Sequence, residues 1–289
     1  MMPWAAQSHR VWLITAAVLF GVMMLAGGVM VGRQLRHQPT PPAAQPAVVP
    51  TDRLVADFAA LQARLQVAGG VAFGPVGTGR QPMVLGDWQT GPAWSTIKIP
   101  LVIAALRQEH PPAVTPAMSA TITASDNDAA ESIWASLGEP AAAAQKVEAV
   151  LREYGDPTIV QSHRVRPEYS ASGQTDWPLA DQVRFTAAAV CDNANAPVFD
   201  LMRHVEADQK WGLGSMPDSR FKGGWGPAPN GRYLVRQLGV IATPNGLTAV
   251  ALAALPASGT FDDGTAALSA MAAWLTSHLD TLPAGRCAG

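Results

Sequence analysis

Residues 94–98 read Trp94-Ser95-Thr96-Ile97-Lys98 and open directly into the apolar run Ile-Pro-Leu-Val-Ile-Ala-Ala-Leu of residues 99–106. If Ser95 starts a helix there, Lys98 stands one turn on, on the same face. A serine hydroxyl is a poor nucleophile without a base beside it. A lysine whose pKa is lowered by burial and by cationic neighbours can be that base. A helix N-terminus also aims backbone N–H groups at any anion that develops. Pro100 falls in the first turns, where proline is tolerated. Taken alone, Ser-x-x-Lys is equally the pattern of a capping serine followed by a solvated lysine.

Two further segments bear on that choice. Ser125-Asp126-Asn127 precedes Asp128-Ala-Ala-Glu-Ser-Ile-Trp, which has helical character. A hydroxyl between two ammonium groups can relay a proton to a leaving nitrogen, and an asparagine amide can both accept from and donate to a substrate amide. A plain Ser/Asp cap is the alternative. Phe221-Lys222-Gly223-Gly224-Trp225-Gly226 reads as an edge strand. Its lysine can attract a carboxylate, and its glycines let a substrate backbone approach closely; a glycine-rich bend is the alternative.

The elements around these segments define an α+β fold. Leu54, Val55, Phe58, Leu61 and Leu65 recur at helical spacing over residues 52–65, with Asp52 as the cap. Strands are expected at 70–76 and 82–88. Residues 95–204 read mostly as helices. Strands return at 220–224, 233–243 and 247–255, with Thr243-Pro-Asn-Gly-Leu247 as a hairpin turn, and an amphipathic helix covers about 264–278. Strands from both ends can then form one antiparallel sheet flanked by helices, with an all-helical block inserted between them.

In the order Ser-x-x-Lys, Ser-Asp-Asn, Lys-Gly-Gly, the three segments resemble the signature motifs of the penicillin-binding proteins and class A β-lactamases. STIKIPLVIAAL and SDNDAAESIWASLG carry the likeness beyond the motifs themselves. It covers roughly residues 51–289 and implies a β-lactamase/transpeptidase-like fold. It also implies roles. Ser95 would form the acyl-enzyme, Lys98 would activate it, and Ser125 would shuttle the proton. Asn127 would orient the substrate amide, Lys222 would hold a carboxylate and tune Ser125, and Gly224 would lie along the substrate. The N–H groups of Ser95 and Trp225 would form the oxyanion hole, at about 3 kcal/mol per donor. Three departures stand out. The gap from Ser95 to Ser125 is short for a class A enzyme. Gly223 lacks the hydroxyl usual after the lysine, which Arg232 or Arg236 on the next strand would have to replace. Glu168, in Arg166-Pro167-Glu168-Tyr169-Ser170, is the candidate deacylating carboxylate, but the Leu-Asn that usually follows is missing.

Residues 1–10 form a short tail. Residues 11–31 are an uncharged apolar run of 21 residues, long enough to cross a bilayer as one helix and longer than a signal-peptide core. A single-pass anchor is expected, with a cleaved signal as the alternative. Arg33, Arg36 and His37 after the run oppose the topology that export requires. Residues 32–51 form a Pro/Ala-rich spacer that would hold a domain at 52–289 outside the membrane. In an exported chain the two cysteines, Cys191 and Cys287, suggest one disulfide; two unrelated thiols are the alternative.

The formal charge of −2, with no basic stripe, argues against a nucleic-acid partner. His163 and His204 have no metal-ligand partners at plausible spacing, and no cofactor is implied. Trp177 and Trp211 read as packing residues. The expected protein is a monomeric exported serine hydrolase acting on β-lactams or D-Ala-D-Ala-type peptidoglycan stem peptides. Its rival is a catalytically weak cell-envelope binding or scaffold protein that keeps the fold. A third possibility, a membrane protein with chance motifs, requires Ser95, Lys98, Ser125 and Lys222 to be scattered.

Overall fold

Pro244 and Asn245 make the turn of a long hairpin, in which Thr243 pairs with Gly246 and the register continues to Val235 opposite Ala254. Gly246 adopts φ +144° at the corner, a conformation open mainly to glycine. The computed structural model describes residues 50–288 except 78 and 229. The apolar run 11–31 and the spacer up to residue 49 lie outside the described residues. Among the described residues, no helix is long and apolar enough to cross a membrane.

Among the described residues the five strands are β1 (Val67–Pro75), β2 (Met83–Gly86), β3 (Arg220–Pro227), β4 (Tyr233–Thr243) and β5 (Gly246–Pro256). They form one antiparallel sheet in the order β2-β1-β5-β4-β3. The helices are α1 (Pro50–Leu65), α2 (Lys98–Leu106), α3 (Pro116–Thr123), α4 (Asn127–Ser136), α5 (Pro140–Glu153), α6 (Leu179–Ala189), α7 (Ala196–Leu201) and α8 (Phe261–Ser277). The sheet thus joins strands from both ends of the domain, with the helical block between β2 and β3. β3 is an edge strand, as its glycines suggest.

Side-chain alternation assigns the two faces of the sheet. In β5, Val250, Leu252 and Ala254 belong to one apolar cluster, and Ala249, Ala251 and Ala253 to the other. This is the period-two pattern of a strand buried on both sides. The larger residues meet α1 and α8, which supply Leu54, Phe58, Leu61, Met271 and Leu275. Each such side chain contributes about 1.5–3 kcal/mol when fully buried. The alanine face packs on α6, whose Val183 and Phe185 belong to the same cluster as the helical block. All nine residues of α2 are buried; the eight after Lys98 are apolar on every side, as expected of a buried helix.

Several boundaries differ from expectation. α1 starts at Pro50, so Asp52 lies inside the first turn instead of capping it, where its charge still favours the helix dipole. α8 starts at Phe261 because Thr260 caps it, accepting from the Asp263 N–H at 3.2 Å. Asp126 caps α4 by accepting from Ala129 N–H at 2.9 Å. Trp177 is fully buried and donates Nε1–H to Asp156 Oδ2 at 2.7 Å. Cys191 and Cys287 form a disulfide across 96 residues, with Cα atoms 5.1 Å apart. The same C-terminal segment pairs with β5 through Leu247 and Gly285.

Candidate active site

Ser95 lies in a single 3-10 turn, Trp94–Ile97, that leads into α2. The turn is tight: Trp94 is held at φ +47°, a left-handed conformation that costs a non-glycine residue energy and persists only where its surroundings enforce it. Those surroundings include β3. A Cβ built on Gly224 would stand 2.8 Å from Ser95 N and 2.9 Å from Thr96 N, and one on Gly226 would stand 2.5 Å from the Trp94 ring. Glycine at both positions lets the edge strand run directly against the turn. Lys222, Gly224 and Gly226 alternate onto that face, whereas Gly223 and Trp225 project oppositely, towards Trp211.

Lys98 occupies the first turn of α2 and is 5% exposed. Its Nζ donates to the Ser125 carbonyl at 2.6 Å, to Asn127 Oδ1 at 2.7 Å and to Ser125 Oγ at 3.4 Å. Ser125 forms the corner between α3 and α4 at φ +57°. From the other side, Lys222 Nζ donates to Ser125 Oγ at 2.8 Å and to the Gly223 carbonyl at 3.0 Å. Ser125 Oγ therefore accepts from both lysines, which leaves its own O–H free for a third group. Burial pulls the Lys98 ammonium down to about 8, against the opposing charges of Asp126 and Glu131. Burial, then the charge of Lys98, holds Lys222 well below the ordinary lysine value. An amine so placed can exchange a proton near neutral pH.

Ser95, Lys98, Ser125 and Asn127 share a cavity of about 440 Å³ with Trp225 and Tyr233. Lys98 and Lys222 meet at Ser125 Oγ and Ser95 lines the same cavity, so these four residues converge instead of scattering. Glu168 also lines this cavity, but its side chain is 57% exposed and its carboxylate pairs with Arg166 at 3.3 Å. It is not joined to Ser95 or Lys98.

Arg236 is a correction to the sequence reading. It is completely buried and does not line the cavity that holds Ser95. Its guanidinium donates to the carbonyls of Gly91, Pro92 and Trp177 and to Gln182 Oε1, each at 2.7–2.8 Å. Because Arg236 pairs with Gly224 in the sheet, its side chain passes beneath the nucleophile turn. Gln182 continues the chain by donating Nε2–H to Thr96 Oγ1 at 3.0 Å. Arg232 is likewise turned away, donating to the Pro256 carbonyl.

Sequence reasoning assigned no role to Gln182, Tyr233 or Arg166. Arg166 donates to the Pro227 carbonyl at the end of β3 and lies over the Tyr169 ring, 4.3 Å from its centroid. Tyr169 in turn meets Trp94 edge-on at 5.0 Å. These contacts tie the 164–170 loop to the wall of the cavity, and no local motif marks them.

No protein-family model and no curated protein matches the chain. Solved structures do. The TLA-1 extended-spectrum β-lactamase is similar with TM-score 0.61 at 16% identity, over 78% of this chain and 99% of that one. The TLA-3 extended-spectrum β-lactamase gives 0.60 at 15%, over 78% and 99%. An ancestral class A β-lactamase gives 0.59 at 22%, over 78% and 99%. Together with the sheet order and the inserted helical block, these likenesses establish that the chain has the β-lactamase-like fold of the class A enzymes.

Proposed function

We propose that the chain is a serine acyl-transfer enzyme that forms an acyl-enzyme on Ser95 with a β-lactam or a D-Ala-D-Ala-type peptide. The observation that carries this reading is the placement of Ser125 Oγ between Lys98 Nζ and Lys222 Nζ, in the cavity that Ser95 lines. Neutral Lys98 takes the Ser95 proton as Oγ bonds to the substrate carbonyl carbon. The carbonyl electron pair moves to oxygen, facing the N–H groups of Ser95 and Trp225. When the pair returns, the C–N bond breaks, and the leaving nitrogen takes the Ser125 proton, which Lys98 replaces. Lys98 Nζ now points to Ser125 and Asn127, and such contacts commonly tighten onto the nucleophile only with substrate bound.

Release of the acyl group is a separate matter. Glu168 pairs with Arg166, half exposed, and this favours a second reading in which Ser95 acylates readily and the ester persists. The protein would then act in the cell envelope mainly as a covalent binder. Export fits both readings: the apolar run at 11–31 and the Pro/Ala spacer would anchor the domain outside the membrane, and the disulfide is at home in an oxidising compartment.

Labelling with a fluorescent penicillin, alongside nitrocefin turnover, tests both. Label that disappears in Ser95→Ala supports acylation; a stoichiometric burst without turnover supports the covalent binder. Absence of label at millimolar probe, with the fold intact, overturns both readings.

A further inference from the structure

Residues 202–209 join the two elements that carry Ser125 and Lys222, and none of the three motifs includes them. At the start of this segment the Met202 carbonyl accepts from the Phe221 N–H at 3.2 Å, one residue before Lys222. Further along, the Glu206 N–H donates to the Thr123 carbonyl at 3.0 Å. At its end Gln209, 6% exposed, donates Nε2–H to the Ala124 carbonyl at 3.0 Å. Met202 and Val205 are buried, which anchors the segment in the core between these ties.

The ties fall where α3 ends. The last carbonyls of a helix have no partner within it. Thr123, Ala124 and Ser125 present three such carbonyls in succession, and each takes a donor from elsewhere: Glu206 N–H, Gln209 Nε2–H and Lys98 Nζ. Ser125 sits at φ +57°, a conformation that a non-glycine residue keeps only where its surroundings enforce it. The Ala124 carbonyl belongs to the planar peptide that leads into Ser125, so its hydrogen bond to Gln209 fixes the plane from which that φ is turned. Gln209 Oε1 is buried and has no hydrogen-bond partner among the described residues. A buried acceptor left unpaired costs at least as much as one hydrogen bond returns, so stability alone does not account for this amide.

We infer that Gln209 is a positioning residue for Ser125: by holding the Ala124–Ser125 peptide it keeps Ser125 Oγ between the two lysines, where the hydroxyl hands its proton to the leaving nitrogen. The inference rests on acylation of Ser95 with Ser125 as the proton donor, and adds the residue that holds the donor in place. Only a leaving group that must be protonated feels the loss of that position. A β-lactam nitrogen leaves with the Ser125 proton. A thiolate, whose conjugate acid has a pKa of about 8.5, leaves with the C–S electron pair and needs none.

The test compares benzylpenicillin with the thioester of phenylacetylglycine and thioglycolate, which carries the same acyl side chain, on the full chain. Intact-protein mass spectrometry gives the rate of acylation by the penicillin, and a thiol-reactive dye reads the first turnover of the thioester. Both cysteines of the chain are bridged, so the dye sees released thiol alone. Ser125→Ala, which removes the donor itself, sets the full size of the selective loss. Gln209→Met, similar in length but without an N–H, is expected to slow the penicillin at least about tenfold, within the roughly 100- to 10,000-fold that a positioned acid contributes. It is expected to leave the thioester rate and the circular dichroism spectrum unchanged. Gln209→Asn, shorter by one methylene, is expected to show the same selective loss and decides the matter if the methionine variant does not fold. Equal loss with both acyl donors, or unaltered rates with only a lower urea midpoint, overturns the inference while leaving the Ser95 reading in place. Silence of the unaltered chain with both compounds overturns the Ser95 reading and this inference with it.

Discussion

Gly224 lies so close to the main chain of Ser95 that a Cβ on it would stand 2.8 Å from the Ser95 amide nitrogen and 3.0 Å from the Ala93 carbonyl. Both neighbours are backbone and cannot rotate away. Gly224→Ala must therefore shift either β3 or the nucleophile turn. Displacing reacting groups by about 1 Å costs on the order of 100-fold in rate. Penicillin labelling of Gly224→Ala is expected to slow by at least about that factor while circular dichroism stays native. Labelling at the unaltered rate would show that the contact does not set the position of Ser95.

The lowered pKa of Lys98 gives acylation a pH dependence. Only the neutral amine accepts the Ser95 proton, and burial brings its pKa to about 8. Acylation is therefore expected to rise with pH below about 8 and to level off above it. Lys98→Arg, which stays charged, is expected to lose about 100- to 10,000-fold, the usual contribution of a positioned base. A pH-independent labelling rate between 6 and 9 would assign the proton to another group.

Arg236 is expected to act through the loop it holds. Its removal takes a donor from three carbonyls and Gln182 Oε1, of which Gly91 keeps the Trp177 N–H, at about 1–3 kcal/mol for each group left unsatisfied. Arg236→Met is expected to lose several kcal/mol in urea denaturation. Arg236→Lys, which keeps the charge but not the fork, is expected to recover part of the stability and to acylate slowly, because Gly91 and Pro92 immediately precede the Ser95 turn. Acylation at the unaltered rate in a folded Arg236→Lys would make the arginine purely structural.

The disulfide closes a loop of 96 residues. Chain-entropy arguments give such a link about 4–5 kcal/mol. Cys191→Ser with Cys287→Ser is expected to lower the urea midpoint accordingly, with the pairing of Leu247 and Gly285 weakened. An unchanged midpoint would show that the C-terminal segment is held by its other contacts.

The parts of this architecture that local pattern controls were legible in the sequence. The Pro-Asn-Gly turn and the apolar run 99–106 specify their own structure, and three short motifs in order singled out Ser95, Lys98, Ser125 and Lys222 as one group. What the sequence left open depends on which loops meet. Arg236 looked free for a substrate because nothing local shows that its register opposite Gly224 drives it under the 91–92 segment. Whether Glu168 turns to Ser95 or to Arg166, with which it pairs, is a matter of side-chain direction, not spacing. The tie from Arg166 to Pro227 joins residues 61 apart, beyond the reach of any local signal.

The central claim is that Ser95 becomes acylated. Incubating the full chain with benzylpenicillin, digesting it and sequencing the adduct by mass spectrometry tests it directly. The expected result is one penicilloyl group per molecule, on Ser95, absent from Ser95→Ala. An adduct on another residue, or none on a folded protein, would contradict it.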